Sequence, residues 1–254
     1  MPFVDTHCHL NFSAFDLDRH ALLDQCAADS IQSIVVPGVT RSAWASQLAI
    51  QSNVIAIKHA IGLHPCFLQE FDESGLLELE KLLDKNKTLV AVGEIGLDKL
   101  AADISLQTTV FEAQIKIAKT YNKPVIIHVR KMHSEILSIL RRSAFNCGGV
   151  IHAFSGSLDI ANAYIKLGFK LGIGGVISYQ RANKTRSTVA SVSLTSLVLE
   201  TDAPDMPVFG HQGERNSPIY IREIFEYLCE LRSESADEIE AALFNNSCQL
   251  FGSI

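Results

Sequence analysis

Near its start the chain reads Asp5-Thr6-His7-Cys8-His9. On an extended strand, residues two apart share a face, so His7 and His9 face one way while Cys8 points the other, and two such imidazoles can meet one cation. Farther on come Gly93-Glu94-Ile95-Gly96, then His128, His152 and Glu200-Thr201-Asp202. Any one of these alone has an ordinary explanation. A strand histidine is more often a hydrogen-bonded core residue, and Glu94 or Asp202 alone could be half of a barrel ion pair. Taken together, four imidazoles and two carboxylates at matching strand ends would be costly to bury, and a divalent cation removes that cost. The chemistry such a set supports is hydrolysis, in which a Lewis acid lowers the pKa of a bound water and clamps the oxygens of a phosphoryl or carbonyl group.

The elements that must carry these residues alternate between short apolar runs and longer amphipathic stretches. The strands expected are Phe3–His9, Ser33–Gly38, Val54–Gly62, Leu89–Ile95, Pro124–Arg130, Gly149–Phe154, Phe169–Gly174 and Leu197–Asp202. Helices are expected over Leu17–Asp29, Ser42–Gln51, Ser74–Lys85, Ser105–Tyr121, Met132–Phe145, Leu158–Leu167, Thr185–Ser193, Pro218–Leu231 and Ser235–Phe251. Runs such as Ile34-Val35-Val36 and Val125-Ile126-Ile127 are apolar on both faces, as strands of a buried parallel sheet require. Eight strand–helix alternations without a GxGxxG or P-loop point to an α/β chain folded as a (β/α)8 TIM barrel, one domain over residues 1–254. The histidines and acids then fall at the C-terminal ends of the strands, where barrel enzymes keep their active sites.

Composition sets the surroundings. A formal net charge of −6 argues against a broad basic groove for duplex nucleic acid, yet it omits any bound metal. No apolar run spans a bilayer, the start of the chain lacks a basic and apolar leader, and six scattered cysteines read as reduced thiols. A cytoplasmic protein with no membrane contact and no obligatory protein partner is expected.

The blocks Asp5-Thr6-His7-Cys8-His9, Gly62-Leu63-His64-Pro65, Gly93-Glu94-Ile95-Gly96-Leu97-Asp98, His128-Val129-Arg130, His152-Ala153-Phe154-Ser155-Gly156, Glu200-Thr201-Asp202-Ala203-Pro204 and Arg215-Asn216-Ser217-Pro218 resemble, in order, the signature blocks of TatD-family metal-dependent hydrolases. The resemblance implies an amidohydrolase-type barrel with up to two divalent metals. His7, His9 and Asp202 would bind the first, His128 and His152 the second, with Glu94 bridging. Family members include deoxyribonucleases acting from strand ends, and deacylases of misacylated transfer RNA have been linked to it. Lys99 stands where many relatives carry an aromatic residue, and Val129 where serine is frequent.

Two divalent cations set against Glu94 and Asp202 leave an excess of positive charge, which favours a phosphate substrate. The reading is therefore a deoxyribonuclease cutting phosphodiester bonds from single-stranded or frayed DNA ends, with Asp202 and Glu94 as the catalytic carboxylates and Asp202 accepting the proton of the attacking water. Four imidazoles favour zinc, manganese, cobalt or nickel over magnesium, with magnesium possible at a weak second position. Substrate contacts are expected from His64, from Arg130 through its planar fork, from Ser155 at the opening of a helix, and from Asp205 and Arg215 after strand eight. Asp5 and Asp98 are expected just outside the ligand set, with Asp5, on the face of His7, placed to hold an imidazole in one tautomer. The rival readings are an ester or amide hydrolase acting on aminoacyl-tRNA or a small molecule, and a barrel that binds without catalysis.

Overall fold

The computed structural model describes residues 2–69 and 71–252, so the outermost residues of the 1–254 domain expectation lie outside the described residues. Eight parallel strands run in sequence order around one sheet: β1 (Phe3–Asp5), β2 (Ile31–Pro37), β3 (Ala56–Ile61), β4 (Ala91–Asp98), β5 (Val125–Arg130), β6 (Gly149–Ile151), β7 (Phe169–Ile173) and β8 (Leu197–Leu199). The last strand meets the first through Thr6 N–H to Leu199 O at 3.0 Å, Asp202 N–H to His7 O at 2.9 Å and a bridge between Cys8 and Ala203. The fold is a (β/α)8 barrel, as the apolar runs require.

The helices are α1 (Arg19–Ala28), α2 (Trp44–Leu48), α3 (Glu73–Lys85), α4 (Ile104–Thr120), α5 (His133–Arg142), α6 (Leu158–Ile165), α7 (Asn183–Ser191), α8 (Ile221–Leu231) and α9 (Ala236–Phe251). Their apolar faces pack on the outside of the barrel in one continuous core. The inside holds a second, smaller cluster: Val35, Ala60, Ala91, Ile126, Val150 and Val198, one residue from each of six strands, met by Phe251 at the end of α9. Asn246 of α9 donates to the carbonyls of Leu194 and Leu197 (2.9 and 2.8 Å), which places this helix across the N-terminal end of the barrel.

Three strands end earlier than their apolar patterns suggest. β1, β6 and β8 stop at Asp5, Ile151 and Leu199, so His7, His9, His152 and Asp202 stand just beyond the ladder rather than on it. The backbone turns sharply there: Ala153 and Asp202 both take left-handed conformations (φ 45° and 57°), at a cost of about 1–2 kcal/mol each. β4 does the reverse and runs on to Asp98. It can do so because Gly96 lies so close to His128 of β5 that a Cβ would overlap the His128 carbonyl.

Candidate metal centre

Glu94 is buried at the barrel axis, and its two oxygens face different sets of histidines. Oε2 lies 3.2 Å from His7 Nε2 and 3.4 Å from His9 Nε2. Oε1 lies 3.0 Å from His152 Nε2, 3.1 Å from His128 Nδ1 and 3.2 Å from His64 Nε2. Asp202 Oδ1 completes the first set, 3.5 Å from His7 Nε2 and 3.6 Å from His9 Nε2. One carboxylate thus spans two donor clusters, one made by His7, His9 and Asp202, the other by His64, His128 and His152. The structure brings all six residues of the expected ligand set together: His9, Glu94, His128, His152 and Asp202 line one cavity with His64, and His7 lies fully buried against them.

The local fold fixes each ring. His7 stacks on His152 with ring centroids 4.0 Å apart, and His9 stacks on Phe12 at 4.6 Å. α4 holds two of the contributing loops through buried glutamines. Gln114 accepts from Leu63 N–H (2.7 Å) and donates to Leu63 O (3.1 Å), and Gln107 makes the matching pair with the backbone of Asp98 (2.8 and 3.1 Å). Asn216 donates to the carbonyls of Thr201 and Asp205 (2.8 and 2.6 Å), fixing the turn that carries Asp202.

Electrostatics favour ionised acids among crowded bases. Burial pushes the carboxyl of Glu94 up, but His64, His152, His7 and His128 outweigh it and hold it well below its ordinary range. Asp202 shows the same balance, burial against His152, His9 and His7, with a net lowering. Burial pulls the His7 imidazole down, with His152 adding to the effect. His152 moves the other way: burial pulls it down, yet Glu94, Asp202 and Glu200 raise it well above the usual imidazole value.

The donor chemistry fits divalent cations. The Nε2 atoms of His7 and His9 are 3.3 Å apart and can share one proton at most. Nδ1 of His7 and His9 and Oε2 of Glu200 are buried without a hydrogen-bond partner among the described residues, and His152 Nδ1 has only the 3.4 Å contact with Glu200 Oε1. Among the described residues, three groups of side chains have ligand atoms close enough to hold an ion: His7, His9 and Asp202; His7, Glu94 and His152; and His64, Cys66 and His128. A nitrogen-rich set with carboxylates is of the kind that holds divalent cations.

The remaining expected contacts divide. A cleft of about 610 Å³ opens over the centre, and Arg130, Ser155, Asp205, Phe12 and Phe67 all line it. Ser155, however, does not open a helix: α6 begins at Leu158, and Ser157 caps it by accepting from Ile160 N–H. Arg215 is a correction, because it does not line the cleft. Its guanidinium forms a fork on Asp18 (2.8 and 2.6 Å), donates to Ala14 O (2.6 Å) and lies over the Phe15 ring at 4.7 Å. Asp5 is a second correction. Its carboxyl accepts from the backbone N–H of His7 (3.2 Å) and Thr201 (3.0 Å) and meets the Thr201 hydroxyl, so it holds main chain rather than an imidazole. Asp98 Oδ2 does face an imidazole, His128 Nε2 at 3.1 Å.

Two residues escaped the sequence reading. Glu200 is fully buried, accepts from Ala153 N–H and lies 3.4 Å from His152 Nδ1. Its spacing of two from Asp202 was the available signal. Cys66, two beyond His64, lines the cleft beside Asp98.

A family profile described as TatD related DNase matches residues 4–252. The chain belongs to the TatD family. Similar members include the uncharacterized metal-dependent hydrolase YjjV of Escherichia coli K12, 43% identical over 252 residues (98% of this chain and 97% of the relative). Another is the uncharacterized metal-dependent hydrolase YabD of Bacillus subtilis, 32% identical and covering 97% and 98%. The crystal structure of the E. coli TatD homolog YjjV superposes with a TM-score of 0.95 at 42% identity, covering 99% of this chain and 98% of that one. A TatD-family hydrolase of Entamoeba histolytica shares the fold at 21% identity, with a TM-score of 0.89 over 100% and 99% of the two chains. TatD-family membership therefore covers nearly the whole barrel. Among the described residues no helix is long and apolar enough to cross a membrane.

Proposed function

We propose that this chain is a metal-dependent hydrolase that cleaves phosphodiester bonds from the ends of DNA, on single-stranded or frayed strands. The observation that carries the reading is the division of Glu94, whose two oxygens address two separate donor clusters 3.0–3.4 Å away. The family description and the relatives' names as metal-dependent hydrolases support it.

His7, His9 and Asp202 would hold one divalent cation, and His128 and His152 a second, with Glu94 between them. When bound, such ions polarise phosphoryl oxygens and acidify an attacking water. The side chains of this protein do the rest. Asp202, kept ionised by the surrounding imidazoles, accepts the proton of the attacking water. Asp98 holds His128 through Nε2, leaving Nδ1 directed at Glu94, and His64 faces the same Glu94 oxygen from the cleft wall. Arg130 lines the cleft with an exposed guanidinium that makes no ion pair among the described residues, and can fork onto a phosphate. Phe12 and Phe67 offer faces on which unpaired bases can stack.

A specific observation favours the rival reading. Asp98 and Glu200 add two buried carboxylates to the surroundings, so the centre is nearer neutrality than Glu94 and Asp202 alone imply. A centre of that charge is also suited to an uncharged ester or amide. Metal analysis followed by assays on end-labelled single-stranded DNA and a panel of simple esters separates the two. Ester cleavage with DNA untouched, whichever divalent metal is added, would sink the nuclease reading. For Asp202→Asn the expected outcome is turnover lowered roughly 10²–10⁴-fold with metal retained. Unchanged turnover with metal in place would remove the proton-accepting role.

A further inference from the structure

Beside the Glu94 clusters, on the cleft wall, the structure gathers a donor set of a different character. Cys66, on the turn after β3, has its Sγ 3.5 Å from Asp98 Oδ2 at the end of β4. That same oxygen lies 3.1 Å from His128 Nε2 on β5. His64 leans on His128, ring centroids 4.4 Å apart, and the ligand atoms of His64, Cys66 and His128 all fall within 4.8 Å of one another. Three chain segments therefore bring a thiol, a carboxylate and two imidazoles to one point that opens on the cleft.

We propose that His64, Cys66 and His128, with Asp98 beside them, form an additional cation position selective for thiophilic divalent metals such as zinc or cadmium. It overlaps the cluster facing Glu94 Oε1 through His64 and His128 and differs from it by the Cys66 sulfur, and it stands whether or not the phosphodiester reading holds. The sulfur confers the selectivity: thiolate ligands favour zinc and softer ions, whereas manganese and magnesium prefer oxygen. Binding is an exchange of charge. The Cys66 S–H bond breaks, its proton leaves to water, and the sulfur lone pair forms the bond to the ion. A cation at this point supplies the charge that Asp98 and a thiolate together lack.

The position shares donors with the Glu94 centre. His64 Nε2 and His128 Nδ1 are 3.2 and 3.1 Å from Glu94 Oε1. An ion held by Cys66 draws on both rings, so a soft metal in excess of the catalytic complement should inhibit hydrolysis.

The test uses the full-length protein loaded with manganese and titrated with cadmium, followed by the ultraviolet sulfur-to-cadmium charge-transfer absorption. The wild type should develop this band with a break at one equivalent, and Cys66→Ser should lose it. Cys66 is only partly buried, so serine is tolerated there. The cadmium concentration that halves hydrolysis of whichever simple phosphodiester or ester the manganese-loaded protein cleaves should rise at least about tenfold in Cys66→Ser, a ligand loss being no smaller than the loss of an outer partner. Absence of the band in the wild type, the same band in Cys66→Ser, or equal inhibition of the two proteins overturns the assignment.

Discussion

Arg215→Ala separates a clasp from a substrate contact. The side chain ties the loop after β8 to the loop after β1, which also carries Phe12, the ring stacked on His9. Removing it loses three things. The fork on Asp18 is partly exposed (34% and 44% for the two side chains), so it contributes about 0.5–1 kcal/mol after solvent screening. The guanidinium over Phe15 adds about 0.5–1 kcal/mol. The bond to the Ala14 carbonyl adds about 0.5–1 kcal/mol. These groups overlap, and a total near ~2 kcal/mol corresponds to a fall in Tm of about 4–8 °C for a chain of this size. Thermal unfolding followed by circular dichroism measures it, alongside KM on a phosphodiester. Arg215→Lys keeps the charge without the fork and should restore less than half of the loss. The acid limb gives an independent check. Hydrogen bonding to Arg215 lowers the carboxyl of Asp18 from its ordinary 3.8. The fork's share of the stabilisation is therefore fully present above that value and disappears as pH falls through the depressed one, so the gap between the wild-type and Arg215→Ala melting curves should narrow in acid by that share, about 0.5–1 kcal/mol, while the Phe15 and Ala14 contacts persist. An unchanged Tm with a raised KM would refute the clasp and reinstate Arg215 at the substrate.

Glu200→Ala should weaken divalent-metal affinity about 10–100-fold, because His152 loses the carboxylate at its Nδ1; isothermal titration measures this, and Glu200→Gln should recover part of it through the bond from Ala153 N–H. Gly172→Ala should destabilise the fold by about 1–3 kcal/mol, since its Cβ would overlap Oε2 of buried Glu200; chemical denaturation reads the change. Stripping metal with a chelator should lower Tm, by an amount equivalent to about 2.7 kcal/mol at a hundredfold excess over Kd, and added manganese or zinc should restore it.

The fold could be read from the sequence because its strands are apolar on both faces, a pattern that Ile34-Val35-Val36 and Val125-Ile126-Ile127 display without ambiguity. The gathering of His7, Glu94, His128, His152 and Asp202 was likewise legible, since each follows such a run in the same sense. Partners were harder to read than positions. Arg215 meets Asp18, 197 residues earlier, and neither periodicity nor motif joins them. Asp5 seemed to share the face of His7, but β1 is irregular between Phe3 and Val4 and ends at Asp5, so alternation fails where it was being applied. Ser155 lost the helix start to Ser157, because two residues with equal capping ability compete and the backbone path decides. Glu200 was hidden by its neighbour, as a strand end carrying two acids invites attention to only one.

Phe251 bears on how substrates can be presented. With the six small and branched side chains around it, this ring closes the barrel at the end opposite the metal centre. Among the described residues the cleft over the metal centre therefore opens at the other end of the barrel, away from this plug. On the proposed phosphodiesterase reading, a strand would have to approach from that side, and threading through the barrel core would not be part of its path.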